Sequence, residues 1–103
     1  MSRIHFNIAP SETSWWQLDC TEFLENEGGV TVTSFACTVE SGSVTVDQSV
    51  AGEHSRQIVG SVLYFWADAT ASAVGDTTRV KVSMTLSNGE LIPRWVQFDT
   101  RVQ

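Results

Sequence analysis

Basic side chains are scarce in this 103-residue chain: six Lys and Arg stand against twelve Asp and Glu, a formal charge of −6 at pH 7. Phosphate backbones and anionic membrane surfaces repel such a chain, which weighs against non-specific nucleic-acid binding and favours solubility or a basic protein partner. Long apolar runs are missing too. The longest, Val62–Ala67, falls far short of the roughly 20 residues of a helical membrane span, so membrane insertion is not expected. The opening residues MSRIHFNIAP hold no apolar core of signal-peptide length. The chain is therefore expected to remain where it is made, or to leave by release on lysis. Cysteine is limited to Cys20 and Cys37, too few for the four ligands of a structural zinc site, and His5 and His54 add no metal-binding spacing. Reduced, buried thiols are expected, with a disulfide left open. No stretch has helical periodicity over a useful length, which excludes a βαβ fold.

What remains is a strand-rich composition. Apolar residues make up 42%, Val and Thr are abundant, and Leu and Ala do not dominate. A chain of this length folds as one domain, 1–103, and buries somewhat over ~60% of its extended surface. That suffices for one modest core without a deep enclosed pocket.

The clearest element is the C-terminal stretch Gly75 to Asp99. Val80, Val82, Met84 and Leu86 recur every second residue between Arg79, Lys81, Ser83 and Thr85. A period of two places the two sets on opposite faces of a strand. Asn88-Gly89 then signals a hairpin, because a type I′ turn needs positive φ at both central positions. A two-residue loop sets Leu86 against Leu91 and Val82 against Trp95, and leaves Val96 and Phe98 outside. An extra residue near Ile92-Pro93 would instead turn Val96 and Phe98 inward.

Upstream, Ile4, Phe6 and Ile8 alternate with His5 and Asn7 and stop at Pro10, giving a short edge strand; residues 1–10 are a candidate docking strand. Trp16 and Leu18 fit in-facing strand positions. CTEFLENEGG then fits a single helical turn capped by Asp19 or Thr21, covered by Phe23 and Leu24 and ended by Gly28-Gly29. Val30 to Glu40 changes parity at Ser34-Phe35, as a bulge would make it do. Val44 and Val46 begin another strand, Ala51 to His54 make a turn, and Ile58 to Ala67 read as one strand apolar on both parities. The total is six to seven short strands, a two-layer β-sandwich.

Catalytic patterns are absent. His54 sits in a polar turn, GEHSR, with no nucleophile elbow. Cys37 lies in a strand alternation without a basic neighbour. Glu22, Glu25, Glu27, Asp68, Asp76 and Glu90 cluster on turns, where carboxylates serve solubility and turn hydrogen bonds. Gly28-Gly29 lacks the Lys-Ser/Thr of a phosphate loop. No enzymatic activity and no cofactor are expected. Of the tryptophans, Trp16, Trp66 and Trp95 are expected in the core, while Trp15 has opposite parity to Trp16 and is the expected exposed contact. Phe6, Trp15 and Tyr64, aromatic and least forced inward by parity, are the candidate partner contacts.

The runs LDCTEFLENEGGVTVTSFACTVESG (Leu18 to Gly42), VLYFWADA (Val62 to Ala69) and GDTTRVKVSMTLSNGE (Gly75 to Glu90), with a closing strand through Phe98, resemble small virion proteins of tailed bacteriophages, of the fiber–tail adaptor type. The shared pattern is a Trp/Leu-bearing segment, a Gly-Asp turn before a strand, and a final hairpin with a Ser/Asn-Gly turn. This chain departs from it at Gly28-Gly29, where the pattern has Gly-Asp, and at Phe35-Ala36, in place of a strand tryptophan. The resemblance implies an immunoglobulin-like β-sandwich without enzymatic activity. It also implies a virion location at the tail, baseplate or fiber junction after synthesis in the host cytoplasm. The implied partners are other virion proteins, with the chain in several symmetric copies or a ring. Two alternatives stand beside it: a capsid decoration or head–tail joining protein, and a glycan-binding β-sandwich module.

Overall fold

A computed structural model describes residues 4–47, 49 and 52–102. Two sheets pack face to face. The first has the order β1 (Ile4–Ile8), β8 (Leu91–Thr100), β7 (Thr77–Leu86), β3 (Val32–Ser41). The second has the order β2 (Thr13–Asp19), β6 (Val62–Asp68), β4 (Thr45–Val46), with β5 (Gln57–Val59) also on β6. Pairing of β2 with β6 in one sheet and of β3, β7 and β8 in the other matches the B–E and C–F–G pairings of an immunoglobulin-like sandwich. β1 runs parallel to β8, whereas β2–β6, β3–β7 and β7–β8 are antiparallel. A short helix, α1 (Thr21–Asn26), covers one end.

Alternation along each strand builds the core. Val80, Val82, Met84 and Leu86 of β7 face Leu63, Phe65 and Ala67 of β6, all essentially inaccessible to solvent, together with Ile8, Val44, Val96 and Phe98. Phe98 is ringed by aromatics: Phe6 at 5.3 Å, Trp16 at 5.2 Å and Phe65 at 6.4 Å between centroids. Leu24 closes the core beneath α1, and Phe23 packs against its rim under the Arg94 guanidinium, 4.3 Å from the ring centre. Cys20 and Cys37 are buried and not joined in a disulfide, with Cys20 Sγ 3.7 Å from Met84 Sδ in the facing sheet.

The C-terminal hairpin differs from a two-residue type I′ turn. Leu86 N–H donates to Glu90 O and Gly89 N–H donates to Leu86 O, both at 2.9 Å, so the loop is Ser87-Asn88-Gly89. Of these three residues only Gly89 has positive φ, 89°, as a three-residue loop with a glycine bulge requires. The extra loop residue inverts the parity of β8. Val96 and Phe98 turn inward, while Trp95 faces outward beside Lys81. No disruption occurs at Pro93, which pairs with Ser83 in unbroken register. Because the Leu86–Glu90 pair is hydrogen-bonded, odd positions of β8 point their nitrogens away from β7. Pro93, which has no N–H to donate, therefore costs the β7–β8 ladder nothing.

The run Ile58 to Ala67 is a second correction. It is a hairpin, β5–β6, with Val59 opposite Val62 across Gly60-Ser61. Gly60 has φ 61° and Ser61 does not share a positive φ, the signature of a type II′ turn. The slip in β3 is present as a register shift between Val32 and Ser34, and a second follows between Val39 and Ser41. The helical turn begins at Cys20, which makes no side-chain cap bond; the Asp19 carboxylate accepts from Thr21 N–H at 2.9 Å. Among the described residues no helix is long and apolar enough to cross a membrane.

Candidate functional site

The two sheets leave two outer faces, and the one on the second sheet is aromatic. Buried Leu63, Phe65 and Ala67 force Tyr64 and Trp66 outward by the pleat. β2 sets Trp15 opposite Trp66 and Gln17 opposite Tyr64, and β5 sets Gln57 on the other flank of Tyr64. The turn before β5 then lays His54 flat on Trp66, centroids 3.7 Å apart and planes 8° from parallel. Trp15 meets Trp66 edge-on at 5.5 Å and His54 at 6.1 Å. Trp15, Tyr64, Glu53 and Gln57 line an open depression of about 520 Å³. Trp15 is 39% exposed, large for an indole already touching two rings.

The three candidate contacts separate in space. Trp15 and Tyr64 share this depression. Phe6 does not join them: its ring packs on Trp16 at 4.9 Å and on Phe98, at the rim of the core. Two tryptophans expected in the core lie outside it. Trp66 is on the aromatic face, and Trp95 is on the outer face of the first sheet, where its Nε1–H donates to Glu40 Oε1 at 3.1 Å. Only Trp16 packs inward, and its indole N–H is buried without an acceptor among the described residues. His54 is half-buried under Trp66 rather than exposed in its turn. Ala51, the first residue assigned to that turn, lies outside the described residues. His54, Glu53 and Gln57 were not legible as site members; the Gly60-Ser61 pair was the signal that folds Gln57 back beside Tyr64.

The titratable groups elsewhere perform structural tasks. Asp19, Asp47 and Asp68 each accept the backbone N–H two residues on, at Thr21, Ser49 and Thr70. Hydroxyl donation from Thr21, Ser49 and Thr70, and then these backbone bonds, favours the carboxylate and holds each below the usual range, as Ala73 N–H and then Ser43 Oγ–H do for Asp76. Burial pushes the Cys37 thiol up to about 12 and raises Cys20, which leaves neither as a thiolate near neutrality. His5 Nδ1 lies 3.5 Å from Asp99 Oδ2 on the first sheet. Among the described residues no three His, Cys, Asp or Glu side chains converge as metal ligands. The aromatic depression therefore offers contact chemistry: indole and phenol surface, with one carboxylate and one carboxamide at its margin. Compared with protein-family models, curated proteins and solved structures, the chain matches none.

Proposed function

We propose that this chain is a non-enzymatic structural protein of a phage particle, a rigid sandwich that links tail or baseplate components to fibers. One observation carries the binding role: Trp15 and Tyr64 stand on an outer face whose aromatic surface lines an open depression. The virion setting is supported by the resemblance of Leu18 to Gly42, Val62 to Ala69 and Gly75 to Glu90 to adaptor proteins. The partners in this reading are other virion proteins, and the chain occupies a symmetric ring. Copy number in purified particles of the encoding phage, measured by quantitative mass spectrometry, tests it. Roughly three to a dozen copies fit a tail or fiber junction of closed symmetry. Hundreds would move the chain to the capsid or tail tube, and absence would remove the virion reading.

A glycan-binding reading is favoured by one specific feature, an exposed indole beside Glu53, Gln57 and the Tyr64 hydroxyl. Titration with a polysaccharide panel decides it. Saturable quenching of tryptophan fluorescence, lost in Trp15→Ala, would install it in place of the protein contact.

A further inference from the structure

Every open sandwich has sheet edges, and proteins usually blunt them with bulges, short strands, proline or lysine. Here the edges differ. β3 is broken by two register shifts, and β4 and β5 are two and three residues long. β1 has only five residues, and Pro10 follows it closely. β2 has seven residues in unbroken register with β6, and its sequence TSWWQLD contains no Pro, Lys or Arg. Among the described residues it is the longest edge without an interruption.

The hydrogen-bond parity of β2 says which groups are free. Cys20 N–H donates to Ser61 O, and Ala69 N–H donates to Glu12 O. Both contacts belong to the same antiparallel register, so the even-numbered residues 14, 16 and 18 direct their backbone groups into β6. Thr13, Trp15, Gln17 and Asp19 therefore direct N–H and C=O away from the sheet. Among the described residues, no turn, loop or side-chain hydrogen bond engages these backbone groups. The same four residues carry their side chains on the aromatic face.

From this coincidence we infer that β2 accepts an added strand from a partner protein, in the manner of β-augmentation, with Trp15 covered by the incoming side chains. The inference rests on the adaptor reading for the existence of such a partner. Charge selects its chemistry. Glu12 and Asp19 flank the edge and Glu53 lines the depression, with no basic side chain among residues 12–19 or in that lining. A second copy would bring these carboxylates together. The occupant is instead an extended segment of a different polypeptide, with Lys or Arg alternating with β-branched residues. A guanidinium or ammonium group lies over Trp15 and beside Glu53.

The test selects strand-length peptides from a randomised display library on the full chain. It then follows amide hydrogen exchange of the free and peptide-bound protein. The selected peptides are expected to be basic and free of internal proline. On binding, the amides of Thr13, Trp15, Gln17 and Asp19 gain protection, while Ser14, Trp16 and Leu18, already bonded to β6, do not change. Gln17→Pro removes an N–H that β6 does not use, and lowers affinity roughly tenfold or more. Gln17→Lys, which keeps the N–H and repels a basic strand, weakens the same peptides and covers the case in which the proline variant fails to fold. Selection of acidic peptides, no selection, protection without the odd-numbered pattern, or unchanged binding by Gln17→Lys overturns the inference. Self-association lost in Gln17→Pro would assign the edge to a second copy and overturn it as well. Particle copy number tests the adaptor reading separately, so either proposal can fail alone.

Discussion

The two outer faces of this sandwich use the same residue type to opposite ends. On the first sheet, Trp95 is tied down: its indole N–H bonds Glu40, and further along the same face Gln97, Thr77 and His5 converge on Asp99. That face completes its own polar contacts. On the second sheet, Trp15 and Trp66 have rings and His54 for company, and no hydrogen bond among the described residues reaches either indole N–H. Its polar groups sit at the margin, and the edge beside it carries unused backbone donors and acceptors. A tryptophan whose polar atom is satisfied within the chain contributes to stability, whereas one left with open surface is available to a partner.

Variants break or sharpen this contrast, and the largest effect belongs to neither face. Phe98→Ala removes the side chain against which Phe6, Trp16 and Phe65 pack, and should cost about 3–5 kcal/mol in denaturant unfolding. A loss near that of a surface residue would mean that the two sheets are not joined there. Next comes the direct comparison. Trp15→Ala should weaken partner binding by more than ~2 kcal/mol while changing stability by under ~1 kcal/mol. Trp95→Ala should do the reverse, costing about 1 kcal/mol of stability with binding unchanged. Equal effects of the two on both readouts would erase the distinction.

The β5–β6 hairpin, which carries Gln57 to the aromatic face, depends on Gly60. A Cβ there meets no atom within 4 Å, so Gly60→Ala should cost only the backbone strain of positive φ, about 1–2 kcal/mol. At Gly42, with φ 101°, the added Cβ would come 2.6 Å from Thr77 O, and Gly42→Ala should be much worse. Comparable melting temperatures would contradict the turn assignment. The smallest effect expected is Trp16→Phe. It deletes a buried N–H that has no acceptor, so lost volume and a relieved orphan donor nearly cancel, within about 1 kcal/mol.

Acid should act on the turns of both sheets. The folded-state pKa of Asp76 lies below its ordinary 3.8, because Ala73 N–H and then Ser43 Oγ–H donate to the carboxylate. Its stabilising contribution is therefore present above about 3.8 and lost as pH falls through the lowered folded value. Asp76→Asn should flatten the pH dependence of unfolding in that acid window and leave it unchanged above pH 5 or so. An unaltered slope would show that the carboxylate is not what fixes this turn.

How much of this was legible in the sequence follows from which rule governed each segment. Period-two alternation found β7, the inward side of β2 and the two-sheet fold, because one face of each strand is fully buried. Turn geometry was harder. Asn88-Gly89 signals a hairpin but not its loop length, and one extra loop residue reversed every assignment in β8, Trp95 included. Gly60-Ser61 was concealed inside an apolar run, so one strand was expected where two are folded back. The aromatic face inherited both problems: Trp15 was identified from its neighbour's parity, whereas Trp66 is large and apolar and was assigned to the core. The stacking of His54 on Trp66 depends on the path of the turn before β5, which no periodicity encodes.

The most direct test of the proposed virion role measures incorporation of Trp15→Ala into purified particles of the encoding phage by quantitative mass spectrometry, with Trp95→Ala as the internal reference. The account predicts that the Trp15 variant, folded and melting like the parent, is depleted from particles while the Trp95 variant is retained. Retention of a stable Trp15→Ala chain at the parent's copy number would contradict it.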